Sequence, residues 1–291
     1  MFKIVSDGSC EYSEQIAIKN DVHIVPFYVT FDGTTYLKEG IDIKKEEYFN
    51  RLVNEKNTFP KTSQPSPQDY IEAYTPFLKE GKDIISITIS SKLSGSYQSA
   101  VNAAKELKET FPERKIIVID SLSVSVGVAL ILNEMIKLRD SGHTIEDTSD
   151  FVLSTIKDIK LYFTLDSLEY LQRGGRIGKG SALLGGLLNL KPILSLTNGE
   201  VGPLTKVRGK KKALDTIIEY FETDIKGKED DFEYAIVHIV NDKEAVEFKN
   251  KIIDKTGKDT SMETMAAGVT IGTHAGPGGI GLALIRKYKG T

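Results

Sequence analysis

Four polar loops hold the side chains of this chain whose types and spacing could do chemistry. The first, Lys61-Thr62-Ser63-Gln64-Pro65-Ser66-Pro67, offers hydroxyls just ahead of a helix start. A rigid connector would look the same, because Pro is common at the first helical position. The second, Ser90-Ser91-Lys92-Leu93-Ser94-Gly95-Ser96, follows the β-branched run Asp83–Ile89 and enters a helical pattern at Ala100, Val101, Ala104 and Leu107. In an open α/β sheet, ligands sit at the carboxyl ends of strands. There the free N–H groups and partial positive charge of a helix start attract anions. Ser94, at or next to the N-cap, would face that site, and Gly95 would let a ligand approach the backbone. Plain capping by Ser94 satisfies the same pattern.

The third loop, Leu171-Gln172-Arg173-Gly174-Gly175-Arg176-Ile177-Gly178-Lys179, places three cations among glycines. It suits a mobile anion-facing turn, or equally a glycine helix stop with solvated cations. The fourth runs from Ile271 to Gly281 and sets His274 in a tight glycine- and proline-rich backbone, where a histidine is seldom needed for packing. Gly276–Gly281 matches a dinucleotide fingerprint by letters only, since Pro277 interrupts it and no acid follows about twenty residues on. Ser94 with His274 as base would make a serine-dependent acyl hydrolase. The G-x-S-x-G pattern is absent, however, and no acid is placed by the sequence to orient His274. No metal site is expected: His23, His143 and His238 lack ligand spacing, and Asp7 is the only well-placed acid.

The elements that must position these loops alternate in the first half of the chain. Strands are expected at Lys3–Ser6, His23–Phe31, Ile84–Ile89 and Lys115–Asp120. Helices are expected at Ser13–Asn20, Lys44–Asn54, Pro67–Glu80, Ser96–Glu109, Val124–Ser141 and Ile145–Ile159. This predicts a doubly wound, mainly parallel sheet over residues 1–159. The second half reads differently. A strand at Leu161–Leu165 leads to a helix from Ser167 to the Arg173-Gly174-Gly175 stop, then to a helix over Ser181–Leu190. Asn198-Gly199 marks a hairpin within Pro192–Arg208. A helix at Lys211–Asp224, a strand at Tyr234–Val240, a helix at Lys243–Lys255 and a last strand at Met265–Ile271 complete an α+β domain over 160–291, packed against the first.

The chain has 291 residues, a formal net charge of −3 and one cysteine, Cys10. That length carries ample core. Interleaved charge leaves no basic face for nucleic acid, and one cysteine allows no intrachain disulfide. The opening strand is not a signal peptide, and the most apolar helix, Ser123–Ile136, contains Glu134. A soluble cytoplasmic protein is expected.

Together the four loops resemble the DegV family of bacterial fatty-acid-binding proteins, over nearly the whole chain. The motifs are Thr62-Ser63-x-Pro65, Ser94-Gly95-Ser96-Tyr97-x-Ser99-Ala100, Leu171-x-Arg173-Gly174-Gly175-Arg176-Ile177 and Ile271-Gly272-x-His274-x-Gly276-Pro277-Gly278. The opening departs from the family pattern, with Asp7-Gly8-Ser9 where Asp-Ser is expected, which leaves the roles of Asp7 and Ser9 open. The resemblance implies two domains clasping one long-chain fatty acid, with no cofactor and no catalytic residue of its own. Thr62, Ser94, Gly95 and His274 would hold the carboxylate. An ATP-dependent fatty-acid kinase would convert it to an acyl phosphate, which the protein carries to lipid synthesis with transient membrane contact. Arg173 and Arg176 would meet the phosphate or the partner. A lipid sensor without a kinase partner is the remaining alternative. Ala182–Leu188 and Ser125–Ala129 are the expected tunnel walls. Burying about fifteen methylenes is worth ~12 kcal/mol gross, against roughly 1.5–3 kcal/mol for one charge-assisted hydrogen bond. The tail would set affinity and the head group orientation.

Overall fold

The computed structural model describes residues 2–55, 59–181, 190–260 and 262–289 in full, and 182–183 by backbone alone. In chain order the first half contains β1 (Phe2–Asp7), α1 (Glu14–Lys19), β2 (Val22–Val25), β3 (Tyr28–Thr30), β4 (Leu37–Lys38) and α2 (Lys45–Asn54). It continues with β5 (Lys61–Ser63), α3 (Pro67–Lys79), β6 (Asp83–Thr88), α4 (Ser96–Thr110), β7 (Ile116–Asp120), α5 (Val126–Asp140) and α6 (Ile145–Thr155). The second half holds β8 (Lys160–Thr164), α7 (Glu169–Arg173), β9 (Leu190–Thr197), β10 (Glu200–Arg208) and α8 (Lys210–Ile225). It ends with β11 (Phe232–His238), α9 (Asp242–Thr256), β12 (Met265–Ala266), α10 (Val269–Ala275) and β13 (Ile280–Arg286).

The apolar, β-branched runs of the first half form an all-parallel sheet in the order β2-β1-β6-β7. Strands buried on both faces read as continuous apolar runs, as Asp83–Thr88 does. Its helices start on strong local signals: Ser66 and Thr144 each make a reciprocal capping box, with Asp69 and Asp147. The second half builds a mixed six-stranded sheet, β10-β9-β8-β13-β11-β12, antiparallel except for the β11–β12 edge. The architecture is α/β, a parallel-sheet half packed against an α+β half. α5 joins them. Eleven of its fifteen residues are buried, and its side chains share one core with Ile4, Ile85 and Ile87 of the parallel sheet and with Leu161, Val237 and Ala283 of the mixed one. A helix that is apolar all round needs cover all round, and two sheets supply it.

Several local expectations change. His23–Phe31 is two strands, because Pro26, which has no N–H for a ladder, separates β2 from β3 and the chain crosses to a small antiparallel sheet, β4-β3-β5. The loop at Thr62 is strand β5 of that sheet. The expected helix Ser181–Leu190 has a 3-10 turn over Gly178–Leu183 and a strand start at Leu190, while 184–189 lie outside the described residues. The strand expected over Met265–Ile271 stops at Ala266, and His274 lies on the last turn of a helix rather than in a loop. β13, between β8 and β11 in the mixed sheet, was hidden by Gly278, Gly279 and Gly281. The hairpin is as expected: Asn198 and Gly199 both take positive φ, at 50° and 82°. Its tip docks on the other half, where the Ser90 hydroxyl donates to the Gly199 carbonyl at 2.8 Å. A Cβ on Gly199 would lie 2.3 Å from that hydroxyl.

Candidate functional site

A cavity of about 410 Å³ lies where the loop after β6 and the start of α5 meet the mixed sheet, with β5 and α10 alongside. Small-molecule sites span roughly 300–1,000 Å³. Leu161 and Phe163 of β8, Val237 of β11 and Ile280 of β13 line it, as do Ile89, Leu93 and Val124. The wall is therefore mostly apolar. Thr62, Ser94, Arg176 and His274, far apart in sequence, all line the same space.

Thr62 and His274 are joined directly, with Oγ1 and Nε2 at 2.7 Å. Burial, helped by the nearby Arg176 charge, lowers His274 to about 4, so the ring is neutral at pH 7. Its Nδ1 is sealed from solvent and has no hydrogen-bond partner among the described residues. A Cβ on Gly174 would fall 2.2 Å from that nitrogen, so only glycine leaves room for the ring. An orphaned buried N–H is rarer than an orphaned acceptor. The favoured tautomer thus carries its proton on Nε2 and donates to Thr62, leaving a lone pair on Nδ1. The Thr62 hydroxyl proton is then free to point into the cavity.

Ser94 precedes Gly95, the N-cap of α4, and its Oγ accepts from Ser96 N at 3.2 Å. That use spares the Ser94 proton. Gly95 is not open to a ligand: its N–H donates to Gln64 Oε1 at 2.8 Å, and a Cβ would come within 2.5 Å of the same oxygen. The glycine instead seats Gln64, a further lining residue. Arg176 is tied by Nε to the Leu93 carbonyl at 3.0 Å and by Nη1 to the Gly174 carbonyl at 2.5 Å. Among the described residues it has no carboxylate partner. Arg173 stands apart, paired with Glu169 at 2.8 Å and stacked 3.7 Å over Phe59, outside the cavity lining.

The framework under these groups uses three acids that local sequence signals did not assign. Asp7 is buried; its Oδ1 accepts from Ser9 N at 3.2 Å and Ser9 Oγ at 2.5 Å, and its Oδ2 from Ile89 N at 3.0 Å and Ser96 Oγ at 2.7 Å. It ties the end of β6 to the start of α4, which fixes the Ser94 loop from both sides. Burial pushes its carboxyl up against those four hydrogen bonds. Glu39 holds the start of α10, accepting from Val269 N at 2.5 Å, Thr270 N at 3.0 Å and Thr270 Oγ1 at 2.6 Å. Glu11 accepts from Gly268 N and, at 2.6 Å, from the hydroxyl of Ser125. Only spatial pairing reveals the last two. Of the expected tunnel walls, Ser125 lines the cavity, whereas the side chains of 182–188 lie outside the described residues. No three His, Cys, Asp or Glu side chains among the described residues are placed to hold a metal ion, and no described helix is long and apolar enough to cross a membrane.

The model of the DegV family, described as "Uncharacterised protein, DegV family", matches residues 1–287. A DegV domain-containing protein of Caldanaerobacter subterraneus subsp. tengcongensis is 36% identical over 290 residues, covering 98% of each chain. Among solved structures, a stearic acid-binding protein from Eubacterium ventriosum superposes with a TM-score of 0.95 at 33% identity over 99% of both chains. A fatty-acid-binding DegV family protein from Thermus thermophilus gives 0.89 at 30% identity, over 98% of this chain and 99% of that one. The chain belongs to the DegV family.

Proposed function

We propose that the cavity holds one long-chain fatty acid between an N-terminal domain (1–159) and a C-terminal domain (160–291). The observation that carries this reading is an apolar cavity whose polar groups are gathered at the Thr62–His274 pair, Ser94 and Arg176. A carboxylate would accept from the two spare hydroxyl protons, and the Arg176 guanidinium would balance its charge. Gly95 contributes by seating Gln64 beneath Ser94, and neutral His274 holds the Thr62 hydroxyl in place. The names of the structural relatives support the ligand class.

The protein then acts as a cytoplasmic carrier. It presents the carboxyl group to an ATP-dependent fatty-acid kinase and delivers the acyl phosphate to lipid synthesis, with transient membrane contact. Arg176 would receive the new phosphate, and exposed Arg173 would face the partner. A hydrolase built on Ser94 and His274 finds no support, because the histidine pairs with Thr62 and, among the described residues, its Nδ1 meets no orienting carboxylate.

Mass spectrometry of the purified protein under non-denaturing conditions should show added mass in the fatty-acid range. A ligand-free protein that takes up neither palmitate nor oleate would end the proposal. A loaded protein yielding no acyl phosphate with kinase and ATP would leave a lipid sensor.

A further inference from the structure

Ser63, Ser125 and Thr270 are polar residues of the cavity lining outside the head-group cluster, and of these Ser125 is set apart by its backbone and its partner. Ser125 lines the cavity, is 3% exposed, and sits at φ 59°, ψ −131°. That backbone region is costly for any residue but glycine. The fold accepts the strain and holds a hydroxyl, where glycine would sit without strain, in a wall otherwise built of side chains such as Ile89, Val124, Leu161 and Phe163.

The Ser125 proton is already committed to Glu11 Oε1 at 2.6 Å. Glu11 is itself 5% exposed and also takes Gly268 N, at the start of α10. Burial raises Glu11 to about 7, so at pH 8 it is ionised and can only accept. Ser125 Oγ therefore keeps its lone pairs for a donor from the cavity, and the hydrogen bond to a carboxylate makes it a better acceptor. A bare alkyl chain offers no such donor. A chain hydroxyl does.

Through Glu11 this subsite lies at the Gly268 end of α10, whereas the head-group cluster lies at its His274 end. Gly268 and His274 are six residues apart, about 9 Å along a helix at ~1.5 Å per residue. An extended chain of ~1.5 Å C–C bonds zigzags and advances about 1.25 Å per bond, so it covers that span in roughly seven bonds, which points to the middle of a long chain. We propose that Ser125, backed by Glu11, is a second polar subsite of the cavity, which accepts a hydrogen bond from a mid-chain hydroxyl and selects hydroxylated fatty acids. The inference rests on the fatty-acid reading above and adds a substrate preference to it.

The test is competition binding at pH 8 on delipidated protein, with stearate, 10-hydroxystearate and 2-hydroxystearate. The 10-hydroxy acid should bind at least as tightly as stearate despite its greater solubility in water, and the 2-hydroxy acid should gain nothing. Ser125→Ala should shift the ratio of 10-hydroxystearate to stearate affinity about tenfold toward stearate. Ser125→Gly suits the positive φ and removes the same hydroxyl, so it serves if the alanine variant fails to fold. Stearate binding with an unchanged ratio in the variants, or rejection of 10-hydroxystearate by the wild type, overturns the subsite and leaves the fatty-acid reading standing. Failure of all three acids to bind overturns both.

Discussion

At its N-terminal end α10 is gripped by two carboxylates, buried Glu11 and half-buried Glu39, whereas at its C-terminal end His274 carries a ring nitrogen with no partner among the described residues. Glu39 and Glu11 together satisfy the N–H groups of Gly268, Val269 and Thr270, three donors that a helix start otherwise leaves open. Among the described residues His274 has one side-chain partner, Thr62. Both ends sit beside the same cavity. A fully paired buried network fixes a backbone, while His274, by donating to Thr62, leaves the Thr62 hydroxyl proton for a ligand. The short helix is thus an arm clamped at one end to hold a responsive group at the other.

Removing the clamp should have the largest effect. Glu39→Ala strands two buried N–H groups and the Thr270 hydroxyl, at roughly 1–3 kcal/mol for each unsatisfied group, less what water recovers. A loss of about 3 kcal/mol is expected, a fall in Tm of roughly 6–12 °C at ~2–4 °C per kcal/mol. Calorimetry reads it directly. An unchanged Tm would mean that α10 is held without Glu39, by Glu11, by Phe49 against Gly272 and by the 2.6 Å Tyr48–Thr273 hydrogen bond.

The two ends should also answer pH in opposite directions. Glu11 is raised from 4.5 to about 7 by burial, against Lys45, Ser125 and Gly268 and aided by Glu39. The native state holds its proton while the unfolded chain has lost it, so this contribution is full below pH 4.5 and is lost as pH rises to 7. His274 is lowered from 6.5 to about 4. Here the unfolded chain binds the proton first, so the contribution is present above pH 6.5 and is lost as pH falls toward 4. At ~1.4 kcal/mol per unit, each swing is worth roughly 3 kcal/mol across its window. Relative to wild type, Glu11→Gln should gain about 2–3 kcal/mol between pH 5 and pH 8, and His274→Ala should give up about 2 kcal/mol. Urea unfolding at the two pH values separates them. Swings of the same sign would show that the two ends do not differ as described.

The clamp and the arm were unequally legible in the sequence. Thr62, Ser94, Arg176 and His274 stood out because hydroxyls at helix starts and cations or histidine among glycines carry local signals, and all four meet at the cavity. Glu11 and Glu39 carry none. Each is an ordinary surface type whose partners lie more than a hundred residues away in sequence. Asp7 was visible as an acid at a strand end, but its work, tying Ile89 to Ser96, needs the sheet to bring those residues together. The fold followed a similar rule. Capping boxes, β-branched runs and Asn198-Gly199 gave most elements, while β13 escaped because its glycines resemble a loop, although the barrier to extended backbone there is absent once neighbours β8 and β11 are paired. The shared core on α5 could be inferred from its all-round apolarity, but not which two sheets would cover it.

The smallest effect expected is at Ser94, and it decides whether the hydroxyls at the cavity resemble the clamp or the arm. If Ser94 is mainly structural, its Oγ matters for the 3.2 Å bond from Ser96 N. Ser94→Ala would then cost ~1 kcal/mol of stability, as loss of a cap does, and leave ligand affinity alone. The geometry argues otherwise. The N-cap position belongs to Gly95, and Ser96 is also held through its side chain by Asp7 and Tyr70 at 2.7 Å each. The start of α4 therefore keeps its anchors without Ser94. The spare hydroxyl proton, in contrast, is one of the two, with that of Thr62, from which the proposed carboxylate would accept. One charge-assisted bond is worth roughly 1.5–3 kcal/mol, so fatty-acid affinity should fall about tenfold or more while Tm stays within about 2 °C of wild type. A lowered Tm with unchanged affinity would move Ser94 to the structural side of the comparison and leave Thr62 and Arg176 to hold the head group.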